Sequence, residues 1–286
     1  MSTVTEHVQT IRRVLLGAHR PMLNRLDGAI NDSTNTVTLE YQATGVGRGS
    51  YIAINNEVMY VWLVVTNVLT VERGMLGTDA AAHSDGDIVE VDPRFPNPLI
   101  IDEMKAEITS WPRSIFQVDT DDLTFGAGDT MSAFAPTGIY NVLRVNRQPV
   151  ASTDDRYPDV GFDYKRSLGK LFIDSTGSSN QSFTITVTYS KGFDTDPFTG
   201  STDLITDVGL SASLQDALKY GVCWRLLAGR EIKRTFTESQ GEPRNAEEVP
   251  PGHANSVAEQ FRKLRNDRLA EEARRLANDY PWMASR

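Results

Sequence analysis

The hydrophobic period of this chain switches back and forth between helical and strand spacing, which restricts it to helices and antiparallel β units that follow one another. Val4, Val8, Ile11 and Leu15 recur at helical spacing, with Glu6 near the positive end and Arg12 and Arg13 near the other. This predicts a helix ending at Gly17, ahead of Pro21. After the turn-forming run Asn31-Asp32-Ser33-Thr34-Asn35 the period drops to two. Val37, Leu39 and Tyr41 alternate, and residues 51–54 face residues 57–62 across Asn55-Asn56, a pair that accepts positive φ in a tight hairpin. Residues 69–73 and 87–91 supply two further strands.

Pro93, Pro96 and Pro98 close this unit, and Asn97-Pro98 reads as an N-cap with an N1 proline ahead of Leu99, Ile100, Met104 and Ile108. The second helix should stop where Trp111-Pro112 begins. Strand patterning returns over 114–190, clearest at 183–189, with 140–145 and 170–174 as partners and the Asp, Gly, Ser and Pro clusters between them as loops. Leu214, Leu218, Val222 and Leu226 then predict a helix over 204–232, whose small residues Ala217 and Gly221 let another helix come close. Residues 235–251 read as a polar surface arm. A last helix, capped by Ser256, carries Val257, Phe261, Leu264, Leu269, Ala273, Leu276 and Tyr280, with Glu259→Lys263 and Glu271→Arg275 as i,i+4 pairs. Loop closure costs little more for long insertions than for short ones. The expected fold is therefore α+β: a helical bundle from residues 1–34, 94–112 and 203–286, interrupted by two antiparallel β modules at 35–93 and 113–202.

At 286 residues the chain can bury roughly 75% of its unfolded surface without staples. Its 29 basic against 38 acidic residues leave a charge of −9, which argues against a protein whose main affinity comes from neutralising phosphates. The apolar stretch 59–65 is far short of the roughly 20 residues of a membrane span. The first residues lack a basic n-region and apolar h-region, so synthesis in the cytoplasm is expected. Cys223, the single cysteine, sits in an apolar helical pattern and reads as a buried, inert thiol.

Gly45-Val46-Gly47-Arg48-Gly49-Ser50 lies between strands and lacks the ending of a P-loop, so it reads as a β connection. Asp119, Asp121 and Asp122, and separately Asp194, Asp196 and Asp203, lack the ligand spacing of an EF-hand and read as solvated turns. His7, His19, His83 and His253 are scattered without zinc-ligand spacing, and no Gly-x-Ser-x-Gly elbow is present. No catalytic residue, cofactor or metal is expected. In the last helix Arg262, Lys263, Arg265, Arg268, Arg274 and Arg275 are nearly cancelled by Glu259, Asp267, Glu271 and Glu272, which favours a solvated or inter-subunit face over nucleic-acid binding. Trp282 is either a terminal anchor for a partner pocket or part of a tail folded back on its own bundle.

Residues 51–61, 69–78 and 80–87 together resemble a β module that recurs in virion proteins of tailed bacteriophages. There Gly74 and Gly77 permit a backbone reversal, and Ser84-Asp85-Gly86-Asp87 turns the chain into the next strand. Residues 214–232, the 235–251 arm and 256–280 are similar to the paired helices of phage head-to-tail connector (adaptor) proteins, and the order of all four helices is similar to that family's core. The resemblance implies an adaptor-like bundle and a homo-oligomer, a dodecameric ring below the portal protein, that extends the DNA channel and provides the platform for tail attachment. It also implies a place at the head-tail junction of the virion, a neck or tail protein as the distal partner, and DNA that passes without specific binding. On that reading Leu276, Tyr280, Trp282 and Met283 meet the portal or a neighbouring subunit, and Asp267, Glu271 and Glu272 face the channel. The alternatives are another phage tail or baseplate structural protein, or a metal-dependent hydrolase or glycan-binding module using the Asp-rich loops.

Overall fold

The first helix, α1 (Val4–Leu16), starts where its sequence provides reciprocal caps: the Glu6 amide donates to Thr3 Oγ1 and the Thr3 amide donates to the Glu6 carboxylate. The computed structural model describes residues 3–17, 21–148, 159–173, 182–196, 198–228 and 253–280. Besides α1 it contains α2 (Asn97–Thr109), α3 (Ala212–Ala228) and α4 (His253–Asp279). The strands of the first half are β1 (Met22–Arg25), β2 (Thr36–Thr38), β3 (Tyr51–Ile54), β4 (Glu57–Val65), β5 (Val68–Glu72) and β6 (Ile88–Val91). Those of the second are β7 (Gln117–Phe125), β8 (Met131–Ala133), β9 (Ile139–Arg147), β10 (Phe162–Lys165), β11 (Lys170–Ile173) and β12 (Phe183–Lys191).

The expected helical bundle is corrected by this inventory. Among the described residues the architecture is strand-rich and mixed, with four helices against twelve strands in three antiparallel sheets. The strands that the periodicity missed, β1, β7, β8 and β10, all lie at the ends of their sheets. An end strand has one hydrogen-bonded neighbour and solvated side chains, so its sequence carries little alternation. The acids Asp119, Asp121 and Asp122, expected in a turn, stand on end strand β7, where charge protects an open edge.

The first sheet runs β1-β6-β3-β4-β5-β2 and curls until its ends meet at a bridge between Leu26 and Leu39. The amides of Asp27 and Glu40 donate across this seam to the carbonyls of Thr38 and Arg25, at 2.9 and 2.8 Å. Its interior is apolar: Leu26, Val37, Ile52, Met59, Val61 and Leu69 are almost wholly buried. In the second module the sheets β7-β12-β9 and β10-β11-β8 share a core that joins Phe125, Val145, Ile185 and Val187 to Phe134, Leu171 and Ile173. A separate core unites Val4, Val8 and Ile11 of α1, Ile100 and Met104 of α2, Leu218 and Val222 of α3, and Leu269 of α4.

Two helix boundaries differ from expectation for local reasons. α3 begins at Ala212 rather than 204, because Asp203 Oδ1 accepts from the amides of Ile205 and Thr206 and Gly209 adopts φ +81°. Asn97 caps nothing; its side chain accepts from Arg12 and donates to the Asn55 carbonyl instead. On α4 the expected i,i+4 pairs are replaced by Glu259 with Arg262 at 2.7 Å and Glu271 with Arg268 at 2.9 Å, since Arg275 turns to the buried Glu272.

Glu107 of α2 is 0% exposed and holds the helices in place. Trp111 Nε1 donates to its Oε1 at 2.9 Å, Arg225 Nε of α3 donates to Oε2 at 2.7 Å, and Arg265 of α4 also pairs with it. Gly221 makes room for this carboxylate: a Cβ there would overlap the Glu107 side chain. The small-residue face of α3 therefore admits an ion cluster as well as a helix. Gly221→Ala is expected to destabilise the protein by about 1–3 kcal/mol through this overlap, read as a lower midpoint in urea unfolding.

Candidate functional site

The outer surface of the curled sheet is the candidate interaction site, and a buried carboxylate at its base keeps it rigid. Glu57, the first residue of β4, accepts from Arg73 Nε and Nη2, both at 2.7 Å. It also accepts from the amides of Gly74 and Ala81 and lies 2.9 Å from His83 Nε2. Arg73 directs its remaining donors to the carbonyls of Asn31, Thr34 and Ala81. One ion pair thus ties the 31–34 loop, the 73–81 loop and the start of β4 into one piece. Burial pushes the Glu57 carboxyl up, but Arg73, the two amides and His83 outweigh it and hold it at about 2. The reversal after β5 runs through Gly74 and Gly77 at φ +62° and +80°, as the sequence predicts.

From this base β4 and β5 carry an apolar strip outward. Tyr51, Tyr60 and Trp62 pack edge to face, with ring centroids 5.4 and 4.8 Å apart. A β-bulge between Val61 and Leu63 re-aims the strand, so that Trp62 and Leu63 both face solvent. The indole is held by Glu72, which accepts from Nε1 at 3.1 Å, and by Arg48 over its ring. Leu63 is 54% exposed, and Val65 and Val68 at the hairpin tip are 58% and 38% exposed. Periodicity locates the strands but not this strip, because an inserted residue reverses which side chains face out.

Farther along the same outer face, over β3, β6 and β1, a cleft of about 350 Å³ separates the sheet from α1. Leu16, Leu23 and Ile88 give it apolar walls, and Arg12, Arg13 and Glu90 give it charge. Arg12 pairs with Glu90 and donates to Asn97 Oδ1 at 3.2 Å. Arg12 Nε and Glu90 Oε1 are buried without a hydrogen-bond partner among the described residues.

The residues expected to meet a partner are distributed differently. Leu276 is 4% exposed and packs with Phe116 and Leu143, while Tyr280 lies against Phe116, so both join α4 to the second β module. Trp282 and Met283 lie outside the described residues, as does the 235–251 arm. Asp267 and Glu271 are exposed on α4. Glu272 is turned inward, where Ser211 and Ser213 donate to it and Arg275 neutralises it, so it is not available to line a channel. Burial raises the Glu272 carboxyl, but Arg275 and the two serines prevail and leave it below the ordinary glutamate value.

The two described histidines do not converge. His7 is buried between α1 and α3, where burial and then Lys219 push it down to about 4; His83 is in the Glu57 cluster; His19 and the side chain of His253 lie outside the described residues. Cys223 is buried and free, its thiol pushed up to about 12 by burial. Among the described residues no three His, Cys, Asp or Glu side chains are grouped to hold a metal, and no helix is long and apolar enough to cross a membrane.

No protein-family model and no curated protein matches this chain.

Removing the Glu57 charge leaves Arg73 buried and uncompensated, so Glu57→Gln should cost roughly 3–5 kcal/mol in chemical denaturation. The depressed carboxyl also sets a pH window. The stability it contributes is complete above the ordinary value of 4.5 and is lost as pH falls through about 2. Wild type should therefore lose more stability over that interval than Glu57→Gln does.

Proposed function

We propose that this chain is a structural virion protein of a tailed bacteriophage that works by assembly, as a head-to-tail adaptor ring beneath the portal. The single observation that carries the reading is the rigid apolar strip Trp62-Leu63-Val65-Val68, an exposed hydrophobic surface on a frame fixed by a buried ion cluster. Contiguous exposed apolar surface of this kind is an interaction surface, and a fixed aromatic with its N–H already satisfied makes a good anchor. The residues of the phage-like pattern, 51–61, 69–78 and 80–87, build the clasp and flank the strip. Exposed Asp267 and Glu271 stand among exposed bases on α4, with Glu271 paired to Arg268, and this balanced charge suits a surface past which DNA moves without being held.

The strand-rich architecture favours a second reading, a tail or baseplate structural protein, in which β modules make the contacts and helices attach them. Symmetry separates the two. Electron microscopy of the full chain mixed with portal rings should show twelve copies at the vertex. Six or three copies on a tail assembly would select the second reading, and a chain that decorates neither would overturn both.

A further inference from the structure

The curled sheet has an exposed aliphatic turn at one end and a recess at the other. β3 pairs with β4 from Ile54 opposite Glu57 to Tyr51 opposite Tyr60, and β4 then continues past β3 to the tip at Val65, paired with β5, which β2 flanks as far as Thr38 opposite Val68. The recess lies at the opposite end, where Asn55, Ile88 and Asn97 border the cleft beneath α1. Tip and recess are separated by roughly 25 Å along β4, so they cannot meet within one copy. Two different, non-overlapping surfaces of this kind make head-to-tail contacts, and such contacts close into rings when the rotation between copies allows.

The chemistry of the two ends is complementary. The tip is aliphatic, with Val65 opposite Val68, and the recess has aliphatic walls in Leu16, Leu23 and Ile88. Exposed Glu40 stands beside the tip, because the Leu39 amide donates to the Asn67 carbonyl at 2.8 Å, and exposed Arg13 stands at the recess.

We infer that the β4–β5 hairpin tip of one copy seats in the recess between α1 and the first sheet of the next copy. This rests on the ring reading and names the surfaces that would form the ring. Cys223 is buried and its thiol is held protonated, so introduced cysteines can be read against a silent background. Val65→Cys and Ile88→Cys each alter a solvent-exposed side chain of the full-length protein.

Mixed on portal rings under mild oxidation, the two variants should give a disulfide-linked dimer at least tenfold above either variant alone, and the double variant should give a ladder of linked copies. Self-linking by Val65→Cys alone would overturn the inference in favour of a two-fold contact between tips. Rings seen by electron microscopy with no linkage in the mixture would overturn it while leaving the ring reading intact. Absence of both rings and linkage would remove both.

Discussion

A carboxylate with no solvent contact must be neutralised where it stands, and Glu107 meets that requirement by drawing Arg225 and Arg265 from two other helices to the same point. Trp111 and the absent side chain of Gly221 complete the pocket. Moving any of α2, α3 or α4 would strand a buried charge, so their relative placement is fixed more tightly than apolar packing alone would fix it. α4 then carries Leu276 and Tyr280 to Phe116, joining the helical core to the second β module.

The same device recurs at the other seams. Glu90 with Arg12 ties α1 to the curled sheet, Glu272 with Arg275 and two serines ties α4 to the start of α3, and Glu57 with Arg73 locks the loops beneath the hairpin. These acids are internal, so the charge of −9 cannot be read as a surface property residue by residue. Aliphatic side chains, by contrast, stay exposed at the hairpin tip, where the bulge at Trp62 turns them outward. Charge inside and apolar groups outside reverse the usual placement at the positions where this chain joins its parts and where the proposed contact between copies lies.

Central strands such as β3, β4 and β12 were legible because both neighbours and a buried face impose alternation. β1 and β7 were not, because Met22, Leu23 and the β7 acids face solvent at a sheet end. The candidate site was legible as strands and turns, down to the positive φ of Asn55 and Gly74. Its exposed strip was not, since nothing in the spacing of Trp62 and Leu63 announces an inserted residue. The buried acids were equally hidden: Glu107 reads as an ordinary polar position on α2, and Glu272 as one more charge among many on α4.

By itself the sequence determined the local conformations, because helix caps, turn glycines and apolar period act over a few neighbouring residues and need no partner. It determined the order of helical and β segments for the same reason. Only the tertiary structure decided which acids are buried, how the first sheet curls onto itself at Leu26 and Leu39, and which aliphatic groups remain exposed. Those outcomes depend on pairs far apart in the chain, such as Glu107 with Arg265 and Arg12 with Glu90, whose energy appears only once folding removes the water between them.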